Sequence, residues 1–443
     1  VLAAALFSVP AHAINGARLI GQGTASRSMG GVGVAMPQDT IAAWASNPAA
    51  AAFLPITDEF WVDFAVSVLA GGGSATLDLQ EGSSFGSDKT LAPVFNNALL
   101  LPAPQLMRGL LLGFSTTATG GFGVDYRNDA LDQPSFFDLG GGKAAPLTSG
   151  LYSRFQAVTL AMDGACSITD WLSVGVAPSL VLSSLDLRSG TSAGTSVGVQ
   201  VGVAGRPHEN VALGASYSIT SSATLDKVTD LDADGRADVL KSQLPQVVAL
   251  GAAVSVLEKR ILIETDLRWL GWSHAAGFAD NDWRDQWVVA LGAQARLSQA
   301  LALRAGYNYG RQPVRVHNDF DGTAPVSVGG THVPQYYFET ARLIGIPALT
   351  QHHITAGFVL EVLPLLSLAA GAVLTPAESL REQGSDVLGR GATITAHNRV
   401  SFSVEFGLSF KLPLPKEPAA QGAAAPASLP RWWQPGAGAA SAR

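Results

Sequence analysis

Hydrophobic and polar residues alternate with a period of two along most of this chain. From Val400 to Leu412, one face carries Val400, Phe402, Val404, Phe406, Leu408, Phe410 and Leu412, the other Ser401, Ser403, Glu405, Gly407, Ser409 and Lys411. Leu301 to Tyr309 sets Leu301, Leu303, Ala305, Tyr307 and Tyr309 against Ala302, Arg304, Gly306 and Asn308, and Ile261 to Trp269 and Trp287 to Leu297 behave alike. Such alternation predicts strands with one apolar and one polar face. A soluble sandwich would produce the same pattern, so the loops between strands have to decide.

Those loops alternate between short and long. The short ones fall near Pro102–Arg108, Thr169–Trp171, Pro207–Asn210, Leu257–Arg260, Ser298–Ala300 and Leu363–Leu365, the long ones near 71–90, 127–152, 186–194, 226–243, 270–284, 310–350 and 376–396. Between them lie fourteen segments, about 59–70, 91–101, 109–126, 153–167, 172–185, 195–206, 211–225, 244–256, 261–270, 284–297, 301–310, 351–363, 366–376 and 397–412. Tight turns on one side and extended loops on the other are the rhythm of an outer-membrane barrel, and an even strand count suits its closure. The fold predicted is all-β, a transmembrane antiparallel β-barrel of 14 strands over residues 55–412. Trp61, Trp171, Trp269, Trp272, Trp283, Trp287, Tyr307 and Tyr309 are expected to form its interfacial girdle.

Two segments do not alternate. Ile14 to Leu54 is dense in glycine and alanine, with neither strand alternation nor a long apolar face, and reads as a hatch, or plug, inside the barrel lumen (residues 14–54). Residues 413–443 are rich in Pro and Ala and read as a disordered periplasmic tail. Residues 1–13, an apolar run ending in Ala11-His12-Ala13, read as the remnant of a signal peptide.

Composition sharpens this picture. Hydrophobic residues make up 47% and charged residues only 14%, where roughly a quarter charged is usual for a soluble domain. No window reaches about 18 uninterrupted apolar residues, which leaves strands rather than helices to cross a bilayer. The net charge of −7 argues against a nucleic-acid surface, and Cys166, being alone, forms no internal disulfide.

Several stretches then resemble a known family. They are GQGTASRSMGGVGVAMPQDTIAAWASNPAA in the leading segment, and ITDWLSVGVAPSLVL, LPQVVALGAAVSV followed by DLRWLGWS, WRDQWVVALGAQARLSQALALRAGYNYGRQPV and HHITAGFVLEV in the barrel. In order and spacing they resemble the FadL-type outer-membrane transporters of long-chain fatty acids and aromatic hydrocarbons. The resemblance implies a fourteen-stranded barrel closed by an N-terminal hatch, and a kinked third strand that opens a hole in the wall toward lipid. The tail after Leu412 departs from the family, whose members end at the last strand; Phe406 and Phe410 are then left to carry the assembly signal internally.

Candidate chemistry is sparse. In Asn47-Pro48-Ala49, Asn47 can cap a short helix whose first position Pro48 takes, and the turn can anchor the hatch to the wall. Gly120, Gly121 and Gly123 interrupt the third strand, where glycine marks a bulge or kink, and are candidates for the lateral opening. Asp230, Asp232, Asp234 and Asp238, with Gly235, have the front-half spacing of a calcium loop, but Lys241 stands where the closing Glu belongs, so a solvated acidic turn competes with Ca²⁺ binding. Phe136 and Phe137, or Tyr336-Tyr337-Phe338, could receive an apolar ligand on the outer loops. Glu264, Arg268, Arg296 and Arg304 should point into the lumen, most of them as salt-bridge partners that hold the plug, with one or two left to receive a substrate carboxylate. No serine has a nucleophile-elbow context and the histidines form no triad, so an enzyme is not expected.

The function expected is passive uptake of hydrophobic compounds, foremost long-chain fatty acids, by a monomer without cofactor in the Gram-negative outer membrane. Its partners would be fatty acids or hydrocarbons, membrane lipid and lipopolysaccharide, with no nucleic acid. A general diffusion porin is the first alternative, a barrel-embedded lipid hydrolase the second, and a structural or adhesive barrel the third.

Overall fold

The computed structural model describes residues 14–56, 59–71, 73–77, 83–88, 90–127, 152–187, 190–230, 236–328, 330–346 and 348–414. Sixteen strands share one sheet; two of them, Ile14–Asn15 and Arg18–Leu19, belong to the leading segment, and the remaining fourteen form the wall. These are β1 (Glu59–Gly71), β2 (Thr90–Pro102), β3 (Leu110–Asp125), β4 (Tyr152–Ser167), β5 (Leu172–Asp186), β6 (Thr191–His208), β7 (Val211–Thr220), β8 (Val247–Val256), β9 (Ile261–Leu270), β10 (Gln286–Arg296), β11 (Leu301–Gly310), β12 (His352–Leu363), β13 (Leu366–Thr375) and β14 (Ser401–Pro413). Each pairs antiparallel with its sequence neighbour, and β14 closes on β1 from Phe402–Ala70 to Pro413–Glu59.

Closure explains the alternation. Phe64, Phe114, Val199, Leu250, Leu303, Ile354, Phe402 and Phe406 are exposed on the outer face, while Asp63, Ser115, Glu264, Arg304, Ser403 and Glu405 are buried on the inner one. An apolar exterior around a polar lumen is what lipid demands of a barrel. No described helix is long and apolar enough to cross a membrane.

The girdle expectation needs correcting. Trp171 and Trp287 are exposed, but Trp61, Trp272 and Trp283 are buried. Trp272 and Trp283 instead pack edge to face, ring centroids 5.0 Å apart, with Phe278 4.7 Å from Trp272. They sit in the loop between β9 and β10 and form the core of a layer above the barrel.

That layer is folded. Strands Gly73–Leu77, Ser83–Gly86, Asn318–Phe320, Glu378–Ser385 and Gly391–Asn398, drawn from three long loops, make a second sheet of five strands. The β11–β12 loop adds a hairpin (Pro325–Val328 with Thr331–Pro334) and a helix at Gln335–Thr340 that continues as a π-helical turn, Ala341–Gly345. Tyr336, Tyr337 and Phe338 on that helix are buried, so they are not the exposed landing place their composition suggested.

The hatch fills the lumen with two short helices, α1 (Gly23–Ser28) and α2 (Thr40–Ser46), and a 3₁₀ turn at Pro48–Phe53. Asp39 joins the helices: one carboxylate oxygen caps α2 by accepting from Ala42 N at 2.6 Å, and the other accepts from Ala25 N at 3.0 Å on α1.

Candidate functional site: hatch, wall opening and upper cavity

The hatch is seated on wall groups that match its backbone. On β9, Glu264 accepts from Ala35 N at 2.8 Å and Met36 N at 3.0 Å, and Asp266 accepts from Gly33 N at 3.1 Å. Asp63 on β1 accepts from Thr40 N at 2.6 Å. Arg27 of α1, fully buried, pairs with Glu405 on β14 and donates to Ser403 at 3.1 Å. Arg268 pairs with Asp266 at 2.9 Å and donates to the carbonyls of Ile20 and Gly31. Arg304 reaches the hatch only indirectly: it donates to Gln294 at 2.8 Å, which donates to Gln38 at 2.9 Å. Arg296 does not hold the plug; its half-exposed side chain lies 3.8 Å from Glu361 near the short turns.

Between these groups the wall lacks side chains. Gly175 faces Gly202 across β5–β6, Gly214 faces Gly251 across β7–β8, Gly292 faces Gly306 across β10–β11, and Gly357 faces Gly371 across β12–β13. A Cβ on any of them would strike the hatch: Ala49 at Gly175, Asn47 at Gly202, Val34 at Gly214 and Gly251, Met29 or Gly30 at the next pair and Ser28 at the last. Gly251 also pairs with Asp266, and Gly371 with Glu405, so two carboxylates project beside these gaps. Gly30 adopts φ +71° with the Tyr307 backbone oxygen where its Cβ would stand, so only glycine fits there.

Asn47 sits at the centre of this seat. Its Oδ1 accepts from Ala49 N at 3.2 Å above Pro48, and its Nδ2 donates to Val34 O at 2.8 Å within the hatch and to Val203 O at 3.1 Å on β6.

The wall is incomplete between β2 and β3. Their ladder runs only from Pro102–Leu111 to Asn97–Thr116; above it, among the described residues, Asn96 Oδ1 accepts from Ala118 N at 2.9 Å and Asp88 N donates to Asp125 O at 2.8 Å. On its other edge β3 shifts register against β4 between Ala118 and Gly120, leaving Thr119 as an extra residue. This bulge reverses the facing of the strand. Ser115, Thr117 and Thr119 are buried below it, and Phe122, Val124 and Tyr126 above it. Gly120 pairs with Arg18, and Gly121 N donates to Ala17 O at 2.9 Å, so the hairpin of the hatch covers the unpaired stretch from inside. Gly123 pairs with Arg154 on β4.

Two cavities lie inside the molecule, the lower one against that hairpin. The lower one, about 60 Å³, lies between Arg18, Gln22 and Trp44 and a hydroxyl-rich wall that includes Ser115, Thr117, Thr119 and Thr159. The upper one, about 460 Å³, lies in the loop layer. Its wall takes Phe122 from β3, Tyr152 and Phe155 from β4, Leu185 from β5, Leu225 and Leu240 from the β7–β8 loop, and Phe278. Ala341, Gly345 and Ile346 close another side. Phe122 stacks on Phe155 at 5.2 Å, and Phe155 meets Phe278 edge-on at 5.9 Å. Among the described lining residues, Lys241 and Asp280 are the charged ones, and both are exposed.

Phe136, Phe137, Asp232 and Asp234 lie outside the described residues. Asp230 and Asp238 lie within them, in the β7–β8 loop. Among the described residues, the one group of side chains spaced to hold a metal is His317, Glu339 and Glu382, and Arg342 already pairs with both of its carboxylates.

Apolar outside, plugged within and bearing a largely apolar cavity in its loop layer, the molecule is a hatch-closed β-barrel of the kind that spans a membrane. The family model described as outer membrane protein transport protein (OMPP1/FadL/TodX) matches residues 137–326. The match covers less than half of the chain, and the solved structures below share its barrel fold. Similar solved structures include the Pseudomonas putida toluene transporter TodX, at 16% identity and TM-score 0.63 over 90% of this chain and 99% of that one. A Pseudomonas aeruginosa FadL homologue follows at 13% and 0.62 over 90% and 99%, and the Ralstonia pickettii toluene transporter TbuX at 15% and 0.58 over 88% and 98%. No curated protein sequence matches the chain.

Proposed function

We propose that the protein takes up long-chain fatty acids, or similarly elongated hydrophobic molecules, from the lipopolysaccharide face of the membrane without an energy source. The upper cavity carries this reading: a largely apolar wall whose one cation among the described lining residues is Lys241. The chain of the cargo lies against Phe122, Leu185 and Leu225, each buried methylene contributing about 0.8 kcal/mol, and its carboxylate faces Lys241. Asp280 tempers the pull of Lys241, which favours release. Onward passage straight through the hatch would cross a hydroxyl-lined space of about 60 Å³, unfavourable for a hydrocarbon. The gap between β2 and β3, reached from the same strand that supplies Phe122, is the better exit.

The test is fluorescence titration of the detergent-purified protein with a dansyl fatty acid, displaced by unlabelled acids of increasing length. Affinity should rise about fourfold per methylene until the cavity is full, and Lys241→Glu should weaken carboxylate binding about tenfold while sparing a neutral ligand. Equal loss for both would remove the role of Lys241. Toluene displacing the probe better than any acid would favour a second reading, monoaromatic hydrocarbons, which the Phe122–Phe155–Phe278 contacts support. A strongly conducting channel in planar bilayers would favour the porin instead. For the exit, replacing Gly120 and Gly121 by valine should abolish fatty-acid uptake by cells while the barrel still folds, because a Cβ at Gly120 meets the Ala17 carbonyl.

A further inference from the structure

Beneath the outer sheet lies a charged cluster that the uptake route does not use. It joins three loops: Asp282 between β9 and β10, Arg315, His317, Glu339 and Arg342 between β11 and β12, and Glu382 between β13 and β14. Glu339, Arg342 and Glu382 are fully buried. Arg342 donates to Glu339 Oε2 through Nε at 2.9 Å, to Glu382 through Nη2, and to the Arg315 carbonyl through Nη1 at 2.7 Å. The His317 backbone N–H donates to Glu382 Oε1 at 3.0 Å. Its ring spans two carboxylates, with Nδ1 2.7 Å from Glu339 Oε1 and Nε2 2.8 Å from Asp282 Oδ2. Gln335 also donates to Glu339 at 3.0 Å, and Arg315 lies 3.4 Å from Asp282.

An ionised carboxylate only accepts hydrogen bonds, so both ring nitrogens must carry protons for both contacts to hold. That state is imidazolium. The charge count agrees: three carboxylates, Asp282, Glu339 and Glu382, face two guanidiniums, Arg315 and Arg342, and the ring supplies the third positive charge. A neutral ring turns a lone pair toward one of the carboxylates and leaves a net negative charge in a largely buried cluster.

Glu339 and Arg342 belong to the helix and π-helical turn that place Ala341, Gly345 and Ile346 along the cavity. We propose that His317 is a positioning residue: protonated, it clasps this segment against the cavity, and deprotonated, it lets the segment loosen and the cargo seat widen. This rests on the upper cavity being the cargo seat. The hydrogen bond to Glu339 raises the His317 pKa above the ordinary imidazole value, against the opposing effect of half-burial. The clasp is therefore complete below that ordinary value and is lost as pH climbs through the raised one.

The experiment is hydrogen exchange of the cargo-free full chain in detergent, followed at residues 335–346 between about pH 5.5 and about pH 8.5, across the imidazole range. After correction for intrinsic exchange, protection should drop about tenfold toward high pH in the native protein. His317→Gln should show no such step and should already be loose at low pH. A flat native profile, or the same step in His317→Gln, overturns the clasp, and the native profile decides even if the variant folds poorly. Dansyl-fatty-acid affinity of the native protein should fall several-fold over the same range; an exchange step with constant affinity overturns the link from clasp to cavity. A probe that binds at no pH would instead remove the cargo reading and leave exchange to judge the clasp.

Discussion

The hatch seat and the loop layer both bury charge, but in different ways. In the seat, wall carboxylates bind backbone N–H groups: Asp266 at Gly33, Glu264 at Ala35 and Met36, Asp63 at Thr40. Glycine pairs let the hatch approach the wall closely, backbone to backbone at Gly175, Gly214 and Gly306. In the loop layer, side chains bind side chains: His317, Glu339, Arg342 and Glu382 meet through flexible stems from separate loops. The first arrangement, apart from the Arg27–Glu405 pair, ties the hatch backbone directly to the wall. The second can be altered by one proton. Under the proposed uptake, adaptation to cargo therefore belongs above the hatch, and the hatch core behaves as part of the wall.

The largest break of this contrast should come from Gly306→Leu. Its Cβ alone would run into the backbone of Met29 and Gly30, whichever way the rest of the side chain points. The barrel should assemble with the hatch displaced, and planar-bilayer recordings should change from closed to a large, steady conductance; a closed channel would show that the seat yields. Next is Glu405→Ala, which leaves the fully buried Arg27 without its partner. It should cost about 3–5 kcal/mol in denaturant unfolding, within the range for one half of a buried pair. A loss below about 1 kcal/mol, typical of a surface pair, would mean that water reaches the seat. Smallest is His317→Gln in the loop layer, which should alter cargo affinity only several-fold and only at low pH, leaving bilayer conductance untouched.

Much of the wall was legible because lipid enforces alternation on each strand locally. Ile261–Leu270 and Leu301–Gly310 lie where the pattern put them, and all fourteen strands are present. Glu264 and Arg268 were legible as inward-facing hatch contacts for the same reason. The loop layer was not, because its cluster joins residues 282, 317, 339 and 382, and no periodicity links separate loops. Tyr336 to Phe338 and the Trp272–Trp283 pair looked like surface aromatics because the sequence gives no sign of the second sheet that covers them. The β7 segment was read through to 225, whereas the strand ends at Thr220 and Ala223–Leu225 turns away to pair with Leu240–Ser242. The glycine seat did leave a trace: Gly214, Gly251, Gly292, Gly306, Gly357, Gly371 and Gly407 each fall on the inward-facing side of their strand, opposite its large apolar residues.

Those glycines also bear on the order of construction. The hatch meets β1 through Thr40 on Asp63 and β14 through Thr24 at Gly407, and these two strands are the pair that seals the cylinder. Its socket is thus finished only when the last strand meets the first. A hatch arriving afterwards would have to thread a ring already shut, whereas one present from the start serves as a mandrel, giving successive strands the template on which their curvature and final seam are set.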